Sequence, residues 1–268
     1  MNDLERKLRL GQRLSVGFEG YELPEEYIRL VKEYKVGNAV LFKRNVGSYE
    51  QLRRLCGELR RVIEGETGLE PFIMADEECG SVSRLGHIAA STPCAMAIGA
   101  TGDAENAYRI GRLVGDELRS VGINFNLAPV LDCSTNPDNA VMSNRCFSSD
   151  PETVARFGMR YMDGLREAGV LSCGKHFPGH GDTAVDSHLA LPIVDKPMEM
   201  VRNTELVSFA AAIRHGIDAI MTAHVVFPAM EPERIPSTVS RRVMTGLLRQ
   251  ELGFEGILVS DGMEMNAV

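Results

Sequence analysis

Seven short hydrophobic runs recur along the chain, separated by longer segments whose apolar positions follow a helical period. The runs are rich in β-branched or large apolar residues, which is typical of strands buried on both faces. We predict one strand in each of LSVGF (14–18), VGNAVLF (36–42), PFIMAD (71–76), INFNLAPVLD (123–132), VLSCGKHF (170–177), IDAIMTAHVV (217–226) and GILVSD (256–261).

The intervening segments predict amphipathic helices. In 50–64, 103–119 and 151–168, apolar residues recur three and four positions apart, so that one stripe of each helix faces a sheet. Asp150 and Pro151 are typical of a helix N-cap followed by proline at the first helical position.

Strands that alternate with helices indicate a parallel sheet, either a barrel or a doubly wound sheet. A nucleotide-binding doubly wound sheet should carry a glycine fingerprint, but neither GxGxxG after the first strand nor GxxxxGK[ST] occurs. We therefore predict an α/β fold, a (β/α)8 TIM-type barrel, with residues 1–268 as a single catalytic domain. A closed barrel needs eight strands and seven are predicted, so we expect truncation after strand seven, with the C-terminal unit missing.

The net charge and the cysteine content indicate which partner and which cellular compartment to expect. The net charge of −8 disfavours nucleic acid as a partner. The six cysteines include no CxxC pair, which favours reduced thiols in a cytosolic protein. The charged N-terminus has no apolar signal-peptide core, and no apolar run reaches about 18 residues. We predict a cytoplasmic protein that does not span a membrane, and the sequence leaves its oligomeric state open.

Charged side chains stand at the ends of five predicted strands, which is where α/β barrels carry their functional groups. Any one of them could merely cap the following helix or turn, but five strands ending in this way favour a site. The residues are Asp76 (followed by Glu77 and Glu78), Asp132, Lys175-His176, His224 and Asp261 (followed by Glu264).

The segment KHFPGHGDTAVDSH (175–188) crowds histidines, aspartates and turn-forming residues into one loop, which is either a polar surface loop or an active site. Glycosidases usually pair two carboxyl groups, and Asp261 could attack an anomeric carbon. Asp186 and His188 are two positions apart, and in an extended stretch residues with that spacing face the same side. The carboxylate can then orient the imidazole as a proton donor to the leaving oxygen.

The same loop offers oxygen and nitrogen atoms to a metal ion. The HExxH motif and the cysteine–histidine spacings of zinc sites are absent, so we predict neither a metal nor a cofactor. The ligands that this alternative would use are His176, His180, Asp182, Asp186 and His188.

These residues resemble a known family. KHFPGHGDTAVDSH followed by LALP is similar to the signature of family 3 glycoside hydrolases of the β-N-acetylglucosaminidase branch. Related β-glucosidases lack the DSH segment and take their acid from a second domain. The resemblance spans nearly the whole chain and includes GQRLSVGFEG (11–20), LFKRN (41–45), DEECGSVSRL (76–85), NFNLAPVLD (124–132), NRCFSSDP (144–151) and VSDGMEM (259–265).

The resemblance implies a (β/α)8-type barrel and a retaining mechanism through a glycosyl-enzyme intermediate. It implies Asp261 as the nucleophile and His188 as the acid/base, with Asp186 as the partner of His188. Asp132 could also contribute to the site. Implied sugar-binding residues are Asp76, Arg84, Arg145, Lys175 and His176.

Three positions depart from the family pattern. Cys79 stands where the family has glycine, Asn144 where an aspartate precedes the arginine, and Gly262 where aspartate or alanine follows the nucleophile. None of these changes removes a reacting group, but the first two could alter how the sugar fits.

We predict an exo-acting β-N-acetylglucosaminidase that removes terminal N-acetylglucosamine, with muropeptides of cell-wall recycling as the implied substrate. A phosphorylase on the same scaffold remains open, because a histidine acid/base would not repel phosphate. A β-glucosidase also remains open. The alternative from another class is a non-catalytic sugar-binding fragment, because the last barrel unit is missing from the predicted strands.

Overall fold

A computed structural model of the chain describes residues 2–184, 191–265 and 267. Its centre is one parallel sheet of seven strands that follow one another in chain order. Each of the seven predicted runs contains one strand, so the predicted strand count and the α/β class are confirmed. The strands are β1 (Ser15–Val16), β2 (Asn38–Leu41), β3 (Ile73–Ala75), β4 (Phe125–Asn126), β5 (Leu171–Phe177), β6 (Ala219–Thr222) and β7 (Ile257–Ser260).

Helices connect the successive strands and lie on the outside of the curved sheet. Eight are α-helices in the described part of the chain, and a π-helix, Arg242–Glu251, precedes β7. The three helices predicted above correspond to α3, α5 and α6 within a few residues at each end. The α-helices are α1 (Asp3–Gly11), α2 (Glu25–Tyr34), α3 (Tyr49–Thr67), α4 (Ala95–Ala100), α5 (Glu105–Val121), α6 (Pro151–Glu167), α7 (Met198–Asn203) and α8 (Glu205–Arg214).

The predicted cap of α6 is present. The Asp150 carboxylate accepts a hydrogen bond from the Thr153 backbone N–H at 2.8 Å, and Pro151 occupies the first turn. The cap satisfies one of the N–H groups that the first helical turn leaves unpaired, and proline loses nothing there because it has no N–H.

β4 is shorter than the run that predicts it, and Pro129, further along the run, has no N–H to donate to a ladder. The chain nevertheless continues beside β5. The Lys175 N–H donates to Pro129 O at 3.1 Å, and the Leu131 N–H donates to Lys175 O at 2.7 Å. This irregular pairing places Asp132 next to His176.

Apolar side chains fill both faces of the sheet. The inner face packs Met74, Phe125 and Met221 from three different strands against one another, and two larger clusters lie between the sheet and the helices. All four residues of β6 are buried, whereas β7 at the edge alternates between half-buried and exposed residues. Such continuous burial of a central strand is expected of a parallel sheet covered on both sides.

Seven parallel strands with helices between them give the TIM-like architecture that was predicted. Among the described residues no eighth strand follows β7, and β1 and β7 are not paired with each other. None of the helices in the described ranges combines the length and apolarity that crossing a bilayer requires.

Candidate active site

Asp76 follows β3 directly and lies between two cations. Its Oδ1 is 2.7 Å from Lys175 Nζ, and its Oδ2 is 2.8 Å from Arg84 Nη2. Burial would by itself raise the pKa of Asp76, but the charges of Lys175 and Arg84 outweigh it and hold that pKa well below its usual range. Asp76 is therefore a carboxylate that stays ionised inside the protein.

Glu78 is a second buried carboxylate of this cluster, and the sequence analysis gave it no role. Its Oε1 is 2.6 Å from Lys175 Nζ, and its two oxygens accept from Arg145 Nη2 at 2.7 Å and Nε at 2.8 Å. Burial opposes ionisation of Glu78, yet Lys175 and Arg145 lower its pKa below the ordinary value. The alternation of side chains along an extended segment could have indicated Glu78, which lies two positions after Asp76.

Asp132 extends the cluster to the histidines. Its Oδ2 is 2.7 Å from His176 Nδ1, and its Oδ1 accepts from the His180 backbone N–H at 2.6 Å. Arg145 Nη2 lies 3.4 Å from His176 Nε2. Because arginine can only donate, Nε2 is the acceptor and Nδ1 carries the hydrogen that Asp132 accepts. Burial disfavours the Asp132 carboxylate, but His176 lowers its pKa, and burial lowers the pKa of His180.

Glu77 binds the backbone of the loop that carries Arg84. The Glu77 carboxylate accepts from the backbone N–H groups of Arg84 at 2.9 Å and Leu85 at 3.0 Å. Cys79, at the start of this loop, has a φ of +80°, in the left-handed region that favours glycine. The backbone at this position thus has a conformation that favours glycine, although this chain carries cysteine there.

Asp261 directly follows β7 and is half-buried, and its Oδ1 accepts from the Gly262 N–H at 2.8 Å. Asp76 follows β3 in the same way, and parallel strands place their carboxyl ends at one edge of the sheet. The predicted nucleophile therefore lies at the same end of the sheet as Asp76 and the two cations that bind it.

Asp186 and His188 lie outside the described residues. The described chain on the two sides of them is joined by one ion pair, in which Lys196 Nζ is 3.1 Å from Asp182 Oδ1. The same ammonium is 2.8 Å from Oε1 of the buried Glu205 at the start of α8. Lys196 therefore connects the described chain before and after residues 185–190 to Glu205 at the start of α8.

The structure thus brings six predicted side chains into one hydrogen-bonded network, and it adds Glu78. Three carboxylates, two guanidinium groups, an ammonium and an imidazole lie at the carboxyl ends of β3, β4 and β5. Arg84 Nε is buried and has no hydrogen-bond partner among the described residues. Such a set can hold the hydroxyl groups of a sugar, because it combines ionised acceptors with an unused donor. The six are Asp76, Arg84, Asp132, Arg145, Lys175 and His176.

Other parts of the described chain offer no comparable constellation. Within residues 2–184, 191–265 and 267, no three histidine, cysteine or acidic residues are grouped so as to hold a metal ion. Two grooves of about 290 and 340 Å³ lie on the outer surface of α8 around Arg214, away from the strand ends. Neither groove contains a residue that the sequence analysis singled out for the active site.

Comparison with known proteins places the chain in a family. The model of the N-terminal domain of glycosyl hydrolase family 3 matches residues 6–268. Beta-hexosaminidase A of Pseudoalteromonas piscicida is 36% identical over 97% of this chain and 49% of its own length. The chain therefore spans about half the length of that curated relative.

Solved structures agree with this match. A family 3 β-N-acetylglucosaminidase from Paenibacillus sp. str. FPU-7 superimposes with a TM-score of 0.96 at 44% identity, over 98% of this chain and 50% of that one. NagZ from Neisseria gonorrhoeae superimposes with a TM-score of 0.87 at 33% identity, over 94% of this chain and 74% of that one. With the family model matching nearly the whole chain, this protein belongs to glycosyl hydrolase family 3.

Proposed function

We propose that this chain forms the catalytic barrel of a retaining exo-β-N-acetylglucosaminidase. The observation that carries the proposal is the buried network of Asp76, Lys175, Glu78 and Arg145 at the strand ends where Asp261 follows β7. Relatives that are named β-hexosaminidase and β-N-acetylglucosaminidase support the reaction class.

Sugar binding is assigned to the network. Lys175 Nζ has three donors and, among the described residues, uses two of them on Asp76 and Glu78, which leaves one for a hydroxyl group. Arg84 Nε is a second free donor in the described structure. Each Asp76 oxygen accepts one hydrogen bond and has a further lone pair for a hydroxyl. Groups that are already ordered by their ion pairs bind the sugar without losing further freedom.

The first chemical step is assigned to Asp261. Its carboxylate attacks the anomeric carbon, the bond from that carbon to the leaving oxygen breaks, and His188 gives its proton to that oxygen. Asp186 orients the imidazole of His188 and stabilises its protonated form. The product of this step is a glycosyl ester of Asp261 and a free aglycone.

The second step releases the sugar. Water attacks the anomeric carbon from the face that the aglycone left, His188 takes the proton, and the ester bond to Asp261 breaks. Two inversions at one carbon give net retention. A histidine in place of a carboxylate also allows phosphate to approach, so the assay must distinguish free sugar from sugar 1-phosphate.

Hydrolysis of an aryl β-N-acetylglucosaminide by the chain and by its Asp261→Asn variant tests the proposal. We expect activity in the parent and a loss of more than about 10³-fold in the variant, because an amide is a poor nucleophile. The exposed Asp116→Asn on α5 is the matched control and should keep full activity. Equal rates in parent and Asp261→Asn would overturn the mechanism.

Two further comparisons define the substrate. An aryl β-glucoside in place of the N-acetyl substrate distinguishes a β-glucosidase, and added phosphate with detection of sugar 1-phosphate distinguishes a phosphorylase. The natural substrate proposed here is a muropeptide, which is the substrate implied by the sequence resemblance to the β-N-acetylglucosaminidase branch. A muropeptide with terminal N-acetylglucosamine should be cleaved faster than chitobiose, and the reverse order would remove the muropeptide from the proposal.

A further inference from the structure

His224 is a buried histidine beside the mouth that the proposed mechanism does not use. It lies two residues beyond the end of β6 and is only 1% exposed. Its ring is held at both nitrogens. Nε2 is 3.0 Å from Gly262 O, and Nδ1 is 2.8 Å from Thr238 Oγ1. A buried imidazole with two defined partners on different segments has one orientation only.

The hydrogen-bonding partners assign the tautomer of this ring. Gly262 O is a carbonyl oxygen and can only accept, so Nε2 carries the hydrogen. Nδ1 faces the Thr238 hydroxyl, whose single hydrogen is shared between Nδ1 and the Ala223 carbonyl oxygen, 3.0 Å from Thr238 Oγ1. Thr238 is in turn held by the Thr222 hydroxyl, which donates to Thr238 Oγ1 at 2.9 Å. Thr222 at the end of β6 and Thr238 therefore determine where the Nε2–H of His224 points.

The contact reaches the proposed nucleophile through one residue, Gly262. His224 Nε2–H binds the carbonyl of Gly262, and the N–H of the same residue donates to Asp261 Oδ1 at 2.8 Å. Gly262 lacks a side chain that could hold this turn by packing, and Asp261 lies at the edge strand, where β7 is only half-buried. His224 thus supplies a link from the buried strand β6 to the turn that carries the carboxylate.

We infer that His224 is a positioning residue that holds the Gly262 turn and so aims the Asp261 carboxylate at the anomeric carbon. The inference rests on the proposed function. Because the residue acts on the attacking group and not on sugar binding, its loss should lower kcat and leave KM within about 3-fold. A carboxylate displaced by about 1 Å costs on the order of 10²-fold, so we expect a 10- to 100-fold fall in kcat.

Two amide substitutions separate the contacts of the ring. The Nε2 of glutamine occupies nearly the place of histidine Nε2, whereas the amide of asparagine reaches only the place of Nδ1. His224→Gln should therefore keep the bond to Gly262 O and retain kcat within about 3-fold. His224→Asn should keep only the Thr238 contact and show the full loss. His215→Asn, on the outer surface near α6, is the control and should not change kcat.

Crystal structures of the two variants supply a measurement that needs no turnover. Asp261 should keep its place in His224→Gln and be displaced in His224→Asn. If the parent hydrolyses no glycoside, the proposed function fails, and the displacement of Asp261 still tests the role of His224. If His224→Asn does not fold, Thr238→Val replaces it, with an expected 3- to 10-fold fall in kcat. Unchanged kcat in a folded His224→Asn or Thr238→Val, or an Asp261 that stays in place in His224→Asn, overturns the inference.

Discussion

Neutralising Glu78 tests whether the buried network holds the barrel mouth together. In Glu78→Gln the shape of the side chain is kept, but the negative charge between Lys175 and Arg145 is lost. The NH2 group of the new amide would also face Lys175 or Arg145, and both of these side chains can only donate hydrogen bonds. Lys175 and Glu78 are almost fully buried, with 2% and 3% of their side chains exposed. Water therefore cannot replace the lost partner.

The size of the effect follows from the distances. At 2.6 Å to Lys175 and 2.7 Å to Arg145, each attraction amounts to about 6 kcal/mol at an effective dielectric constant of about 20. The desolvation of the carboxylate, several kcal/mol, offsets much of this sum. Removing one partner of a buried pair typically costs about 3–5 kcal/mol. For a domain of this size that corresponds to a fall in Tm of roughly 6–20 °C.

Thermal and urea unfolding followed by circular dichroism measure this loss. The matched control is Glu105→Gln, whose carboxylate is 2.6 Å from Arg160 but is 41% exposed. Because water screens that pair, we expect a change of at most about 1 kcal/mol. A fall in Tm for Glu78→Gln as small as that of the control would refute the reasoning that burial makes this network important.

The pH dependence of the unfolding free energy is a second test, because the lowered pKa of Glu78 determines the direction in which stability changes with pH. The pKa of Glu78 is lower in the folded protein than the ordinary value of about 4.5 for a glutamate. Its contribution to stability is therefore complete above about pH 4.5 and is lost as the pH falls toward the folded pKa. The difference in unfolding free energy between the parent and Glu78→Gln should shrink below about pH 4.5. A difference that grows on acidification would contradict the assignment of a depressed pKa.

Three further changes test other parts of the structure. Asp132→Asn should lower kcat/KM by about 10²-fold through misplacement of His176, and glycoside kinetics with an unchanged far-UV spectrum would show it. Asp150→Ala should lower the unfolding free energy by about 1 kcal/mol through loss of the α6 cap, whereas urea curves for Asp150→Ser should match the parent. Gly181→Ala should misplace the segment around Gly181 and lower activity, because a Cβ there would lie 1.7 Å from the Cys133 carbonyl oxygen. Activity falling no more than in Gly57→Ala on α3, where the space is open, would contradict this.

The regular elements follow from local physics, and they were predicted from the sequence. Hydrophobic runs located all seven strands because a parallel sheet covered on both faces needs continuous apolar segments. The α6 start was found because Asp150 and Pro151 act within one helical turn. The strand ends were predicted less accurately, because the hydrophobic run that predicts β4 continues through Pro129, beyond the last residue of the strand.

The connections within the site depend on distant parts of the chain and could not be read from spacing. Lys175 meets Asp76 across 99 residues of sequence, and Arg145 meets Glu78 across 67. Glu78 was predicted only as a neighbour of Asp76, although alternation along the extended chain brings both to the same side. The roles of Asp186 and His188 remain predictions, because those residues lie outside the described structure.

The central claim, that Asp261 forms a glycosyl-enzyme, is tested most directly by trapping that intermediate. The chain would be incubated with a 5-fluoro N-acetylglucosaminyl fluoride, digested and analysed by tandem mass spectrometry. The account predicts one added N-acetyl-fluoroglucosaminyl group, located on Asp261 and absent from Asp261→Asn. Turnover of an aryl β-N-acetylglucosaminide together with an adduct on another carboxylate would contradict it.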